Sequence, residues 1–128
     1  MELIYMILFF YVLTGISCII VGVYSKLFPR TKINEVSGYR TYRSMKNQDT
    51  WDEGNRYSST MTIYGGILST ILSFIIFIIV KDQNESIIEH GAEIAAGLSL
   101  LIGLIFPVLL TEIHLKKMFN ERGEKKIK

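Results

Sequence analysis

Apolar residues along the chain fall into three long blocks, separated by stretches in which charged, polar and aromatic positions alternate. The first block, Leu3 to Tyr24, carries no charge. A helix rising ~1.5 Å per residue needs about 20 residues to cross ~30 Å of hydrocarbon, so this block is long enough to span a bilayer. The second, Met61 to Val80, contains twelve Ile, Leu, Phe or Val residues. At roughly 0.3 to 0.6 kcal/mol each, they favour insertion by about 4 to 7 kcal/mol. The third, Gly91 to Thr111, includes Glu93 and Pro107. Its eleven Ile, Leu, Phe or Val residues favour insertion by about 3 to 7 kcal/mol, against about 2.5 to 3.5 for a carboxylate at the helix centre. Glu93 lies near the end, where the cost is smaller, so insertion wins. The pattern predicts an all-α membrane protein forming one domain over residues 1–128. It has three transmembrane helices, at about 3–24, 58–80 and 92–111, with a polar loop between the first and second.

Within the blocks, small residues recur every fourth position. Thr14, Cys18 and Gly22 mark the first. Gly65, Ser69 and Ser73, with Thr62, Gly66 and Thr70 beside them, mark the second; Gly91, Ala95, Ser99 and Gly103, leading into Pro107, mark the third. Lipid tails are as apolar as the helices, so association depends on close backbone approach along such rows. They predict a compact three-helix bundle. The same rows serve packing between chains, which is compatible with a homo-oligomer.

Charge sets the orientation. The loop from Ser25 to Tyr57 holds Lys26, Arg30, Lys32, Arg40, Arg43, Lys46 and Arg56, and the tail holds Lys116, Lys117, Arg122, Lys125, Lys126 and Lys128. Glu2 is the only charge before the first block, and Lys81 is the single basic residue between the second and third. Basic loops stay cytoplasmic, so the central loop and C-terminus are expected in the cytoplasm and the N-terminus outside, in a multi-pass cell-membrane protein. No basic segment precedes the first block, which argues against a cleaved signal peptide.

Composition narrows the chemistry. Hydrophobic residues make up 49% of the chain and the mean hydropathy is +0.31, which excludes disorder. A lone Cys18 can complete neither a disulfide framework nor a cysteine zinc site. The net charge of +2 gives no case for a nucleic-acid partner. His90 with Glu93, and His114 with Glu112, sit at opposite ends of the third block and cannot share a metal. No metal or cofactor is assigned.

The loop is far longer than an ordinary connector and rich in specific residue types. Thr50 followed by Glu53 is a capping-box pattern, predicting a helix that starts near Trp51 and runs into the second span. Trp51 and Tyr57 would then lie at headgroup level. Arg40, Arg43 and Lys46 are three apart and would share a face if residues 39–47 formed two helical turns along the inner leaflet. Alternatively, Arg40 with Asn34, Ser44, Asn47 and Asn55 forms a hydrogen-bonded pocket for a lipid headgroup, a peptide or a protein partner.

The stretch Asn34, Gly38, Tyr39, Arg40, Thr41, Ser44, Met45, Asn47, Trp51 and Asn55 closely resembles, at ten positions with fixed spacing, the signature of the SdpI family of bacterial integral membrane proteins. One span before the motif and two after match that family's arrangement. Gly54 stands where family members often have Ala. The resemblance implies a multipass binding protein whose functional positions are Asn34, Gly38, Tyr39, Arg40, Thr41, Ser44, Asn47, Trp51 and Asn55. The best-known member confers immunity against a secreted killing peptide and holds a transcriptional repressor at the membrane. The partners implied are therefore the lipid bilayer and a peptide toxin or cytoplasmic regulator.

Two competing classes remain in view. An accessory subunit of a larger membrane complex would use the small-residue faces to bind other helices. An enzyme acting on lipid or envelope precursors would need a base, for which Asp49, Asp52 and Glu53 are available. Acids in a first helical turn are, however, explained by the helix dipole, and no nucleophile triad, metal cluster or phosphate-cradling loop is present in the sequence. The expectation is a protein without enzymatic activity.

Overall fold

The computed structural model describes residues 2–126. Lys128 of the basic tail, and the side chains of residues 2–7 and 10 in the first predicted span, lie outside what is described. Three helices form: α1 (Glu2–Leu27), α2 (Gln48–Val80) and α3 (Glu85–Met118). Among the described residues there is no strand beyond an isolated bridge between Phe119 and Lys125.

The apolar blocks became helices, and α2 and α3 are each long and apolar enough to cross a membrane. Only 28% of the most apolar stretch of either helix is buried, so most of that apolar surface is left uncovered by the described residues. Ile71, Phe74 and Ile78 of α2 and Leu101, Leu104 and Ile105 of α3 face outward. Such a surface is stable against hydrocarbon and costly against water.

The centre of the bundle is α2, which packs extensively on both neighbours, whereas α1 and α3 touch each other sparingly. On its α1 side, a Cβ at Gly66 would lie 2.7 Å from the Gly15 carbonyl oxygen, and one at Gly15 would lie 2.8 Å from the Thr70 nitrogen. The backbones approach this closely only because both residues are glycine. Gly15 supplies a contact that the predicted row through Thr14 and Cys18 omitted. On the α3 side, the Ser73 and Ser99 hydroxyls meet at 3.0 Å. The predicted row on α3 is buried throughout and continues past Pro107 to Thr111 and Leu115.

At one end of the bundle α1 and α3 meet. The Tyr11 hydroxyl donates to the Ile88 carbonyl at 2.7 Å, and Tyr11 packs edge-on against Phe77. Cys18 lies against Gly103. Beyond that contact a gap opens between α1 and α3, lined toward its end by Pro29, Arg30, Thr31, Gly38 and Tyr39 of the loop.

Candidate functional site: the loop cap and its groove

The loop is docked through α2's own start. Asn47, not Thr50, is the N-cap, and α2 begins three residues before the predicted Trp51. Asn47 Oδ1 accepts from the Thr50 backbone N–H at 3.0 Å, and Thr50 Oγ1 accepts from the Asn47 N–H at 3.1 Å. Thr50 therefore occupies the third helical position of a reciprocal capping box. Asn47 also donates through Nδ2 to the Gly123 carbonyl at 2.8 Å, tying the chain end to the loop.

Residues 39–47 do not form two helical turns. The segment makes one turn, closed by the Met45 N–H on the Thr41 carbonyl at 3.1 Å. Ser44 is fully buried at its centre. Its hydroxyl accepts from the Thr41 N–H at 2.8 Å and donates to the Tyr39 carbonyl at 2.8 Å.

Trp51 is also fully buried, so it does not lie at headgroup level as an exposed ring. Its indole N–H donates to the Arg30 carbonyl at 2.7 Å, fixing the first part of the loop to α2. Gly38 rests on it with φ of +104°, and a Cβ there would lie 2.5 Å from Asn55 Oδ1 and 3.3 Å from the indole ring. Both conformation and space require glycine. Asn55 Oδ1 accepts from the Tyr39 N–H at 2.7 Å. Gly54 is buried: an alanine Cβ would meet Ser44 Cβ at 3.0 Å, so the glycine serves close approach of the loop to α2.

Tyr39 then reaches α3, where its hydroxyl donates to Glu112 Oε1 at 2.8 Å. Thr41 Oγ1 donates to the same oxygen at 2.6 Å, and Arg43 Nε lies 3.7 Å from Glu112 Oε2. Burial, with the adjacent Glu112 carboxylate, holds the Tyr39 hydroxyl well above its ordinary pKa, so it remains a donor. Arg43 and Lys46 continue to Glu121 of the chain end, at 3.2 and 3.8 Å.

The predicted pocket of Arg40 with Asn34, Ser44, Asn47 and Asn55 is not assembled. Arg40 is exposed and its guanidinium donates to the Glu35 carbonyl. Asn34 folds on itself, accepting from the Val36 and Ser37 N–H groups at 3.0 and 2.8 Å. Consecutive residues of an extended segment point to opposite sides. Tyr39 therefore faces α3 while Arg40 faces out.

Two α3 residues that the sequence placed only at one end of the third block are central. Besides Glu112, His114 Nε2 lies 2.6 Å from Glu53 Oε1, and its ring stacks on Tyr57 at 3.9 Å between centroids. Glu53 also binds Arg56 at 2.6 and 3.0 Å. Burial acts to raise the Glu53 carboxyl, but the hydrogen bonds and charges of Arg56 and His114 outweigh it and leave the pKa below its ordinary value. The sequence held a signal for both: Thr111 and Leu115 extend the buried four-residue row, and positions 112 and 114 flank it.

Above the cap, between α1 and α3, runs a groove of about 1060 Å³. Tyr39, Asn55, Lys26 and Arg30 line it at the loop end, Thr14 and Leu100 at the far end, and Ser58, Ser59 and Thr62 of α2 form its floor. Among the described residues no cluster of His, Cys, Asp or Glu has the makings of a metal site.

No solved structure matches the chain. Over 105 residues it is 36% identical to the uncharacterized protein YfhL of Bacillus subtilis (strain 168), covering 82% of this chain and 84% of that one. Residues 30–113, from the start of the cap to the α3 residues that receive it, match the SdpI/YfhL protein family. A helical bundle with two spans long enough for a membrane, closed by a loop bearing the ten-position motif, thus belongs to the SdpI/YfhL family.

Proposed function

We propose that the chain is a non-enzymatic multi-pass membrane receptor, with all three helices crossing the bilayer, the N-terminus outside and the cap and C-terminus in the cytoplasm. The basic residues concentrated in the loop and tail support that orientation. The cap is the responsive element. One observation carries this: Tyr39, Thr41 and Arg43 of the loop converge on a single α3 carboxylate, Glu112. Polar contacts to one acid can be exchanged for others, so a ligand with different affinity for the docked and released loop shifts the balance between them. The ligand class is a membrane-active peptide, and the outcome is immunity to it or sensing of it. Of the three acids considered as bases, Glu53 is held by Arg56 and His114 and Asp52 accepts from Gln48.

The test is survival of a peptide-sensitive bacterium expressing the chain. Wild type should protect, and Glu112→Gln, which removes the charge facing Arg43, should weaken protection at equal membrane abundance. Unchanged killing by the peptide at verified wild-type expression would defeat the immunity reading.

A further inference from the structure

The chemistry of the groove is graded along its length. Its α3 wall presents apolar Leu100, Leu104 and Val108, and its α1 wall presents Val21 beside the hydroxyls of Thr14, Ser17 and Ser25. Its floor is made of hydroxyls that are already engaged: Ser58 and Ser59 donate to the Asn55 carbonyl at 3.2 and 2.7 Å, and Thr62 donates to the Ser58 carbonyl at 2.8 Å. A hydroxyl bonded back to its own helix needs no water, so hydrocarbon can lie against it without stranding a donor. Among the described residues, no buried side-chain nitrogen or oxygen lacks a partner.

The loop end differs. Lys26, Arg30 and Arg56 border it, against one carboxylate, Asp52. Arg56 is committed to Glu53 and Asp52 accepts from Gln48. Lys26 has no hydrogen bond or ion pair among the described residues. Among the described residues the Arg30 guanidinium meets only the Phe28 carbonyl at 3.4 Å and the face of Tyr24 at 5.7 Å. A largely apolar trough thus ends in two cations that have no carboxylate partner among the described residues. Its volume of about 1060 Å³ lies at the upper end of ordinary small-molecule sites and is far too large for an ion alone.

We propose that the groove binds one anionic phospholipid, with an acyl chain along Val21, Leu104 and Val108 and the phosphate facing Lys26 and Arg30. The site rests on the bilayer placement proposed above, which sets the loop end at headgroup level, but it does not depend on immunity. An apolar chain satisfies the trough, and the headgroup charge complements the two cations.

The full chain, purified from membranes in a mild non-ionic detergent and delipidated, is titrated with phosphatidylglycerol or phosphatidylcholine and read by native mass spectrometry. One lipid should bind, with phosphatidylglycerol favoured on the order of tenfold. Lys26→Gln with Arg30→Gln should bring that preference to within about twofold while leaving the melting temperature unchanged, since neither side chain holds the fold. Leu104→Trp, which fills the trough, should remove both lipids. Millimolar inorganic phosphate should not displace the lipid; displacement would assign a bare anion site and overturn the proposal. Equal affinity for the two lipids, or a preference untouched by the double substitution, would overturn it as well. So would a membrane-active peptide that occupies the groove where phosphatidylglycerol does not. Release of the chain from membranes by alkaline carbonate would remove the bilayer placement and the site with it, whereas retention without lipid preference removes the site alone.

Discussion

Apart from the Tyr11–Phe77 cluster at one end of the bundle, the bundle and the cap are built by different means. Where α1, α2 and α3 pack along their apolar lengths, contact is made by Gly15, Gly66, Ser69, Ser73, Ala95 and Ser99; hydroxyls there bond back to their own helix, as Ser69 does to Gly65 at 2.8 Å, or to each other, as Ser73 and Ser99 do at 3.0 Å. The cap instead buries a whole indole, and its hydrogen bonds join residues far apart in sequence, as Asn47 to Gly123 and Tyr39 to Glu112. Helices facing lipid gain little by hiding apolar side chains, so they compete for close backbone contact. A loop outside the hydrocarbon can use apolar burial and long-range polar bonds together. Substitutions should therefore fail for different reasons in the two regions.

The largest effect should come from Trp51→Ala. Removing a fully buried indole costs about 3 to 5 kcal/mol, and here it also strands the Arg30 carbonyl. The cap should open while the bundle survives, seen as rapid protease cleavage between residues 28 and 47 with helical circular dichroism nearly retained. Simultaneous loss of both signals would show that cap and bundle form one cooperative unit. Trp51→Phe, keeping most of the packing, should recover much of the protection.

Next is Gly66→Ala, which places a methyl 2.7 Å from the Gly15 carbonyl oxygen and 2.8 Å from the Ile19 nitrogen. Overpacking of this kind costs about 1 to 3 kcal/mol. It should lower the melting temperature in detergent without making the loop more cleavable. Gly38→Ala should do the reverse at a similar cost of about 1 to 3 kcal/mol, because left-handed backbone and contact with Asn55 both oppose a side chain there. A cleavable loop in Gly66→Ala would erase the distinction.

These two glycines also separate what the sequence reveals from what it conceals. Spans and small-residue rows are legible because hydrocarbon imposes long apolar runs and close approach imposes small residues at a fixed period; Gly91, Ala95, Ser99 and Gly103 are buried as that period requires. The cap is legible as a motif but not as a shape. Thr50 has neighbours that permit two capping patterns, with Glu53 or with Asn47, and only tertiary placement selects Asn47. The role of Arg40 could not be read either, because it faces out only once Tyr39 of the same extended segment docks on α3. Glu112 acquires meaning only when the loop lies on α3, some 70 residues from Tyr39 and Thr41, and His114 only when α3 packs on Glu53 and Tyr57 of α2.

A smaller effect tests the electrostatics of the cap. The folded-state pKa of Glu53 is lowered, so its contribution to stability is complete above the ordinary carboxylate value of about 4.3 and is lost as pH falls through the folded value. Exposed Glu121, lowered by Arg43 and Lys46, acts with the same sign. Protease resistance of the loop should therefore decline on acidification below about pH 4.3, and Glu53→Gln should make that decline shallower. A decline in wild type at higher pH, unaffected by Glu53→Gln, would place the sensitive group elsewhere.

The smallest effect should be Ser73→Ala in the bundle. Its hydroxyl and that of Ser99 meet 3.0 Å apart and both residues are about 1% exposed, which in water-soluble cores would mark a costly pair to break. Between helices in lipid the unfolded reference also finds partners, and such bonds average only about 0.6 kcal/mol. The alanine methyl fits a seam already spaced for serine, so no overpacking offsets the loss. Ser73→Ala should shift the melting temperature far less than Gly66→Ala, and the Ser73→Ala, Ser99→Ala double substitution should cost no more than the sum of the singles. A loss comparable to that of Gly66→Ala would mean that polar bonds, not backbone proximity, hold α2 to α3.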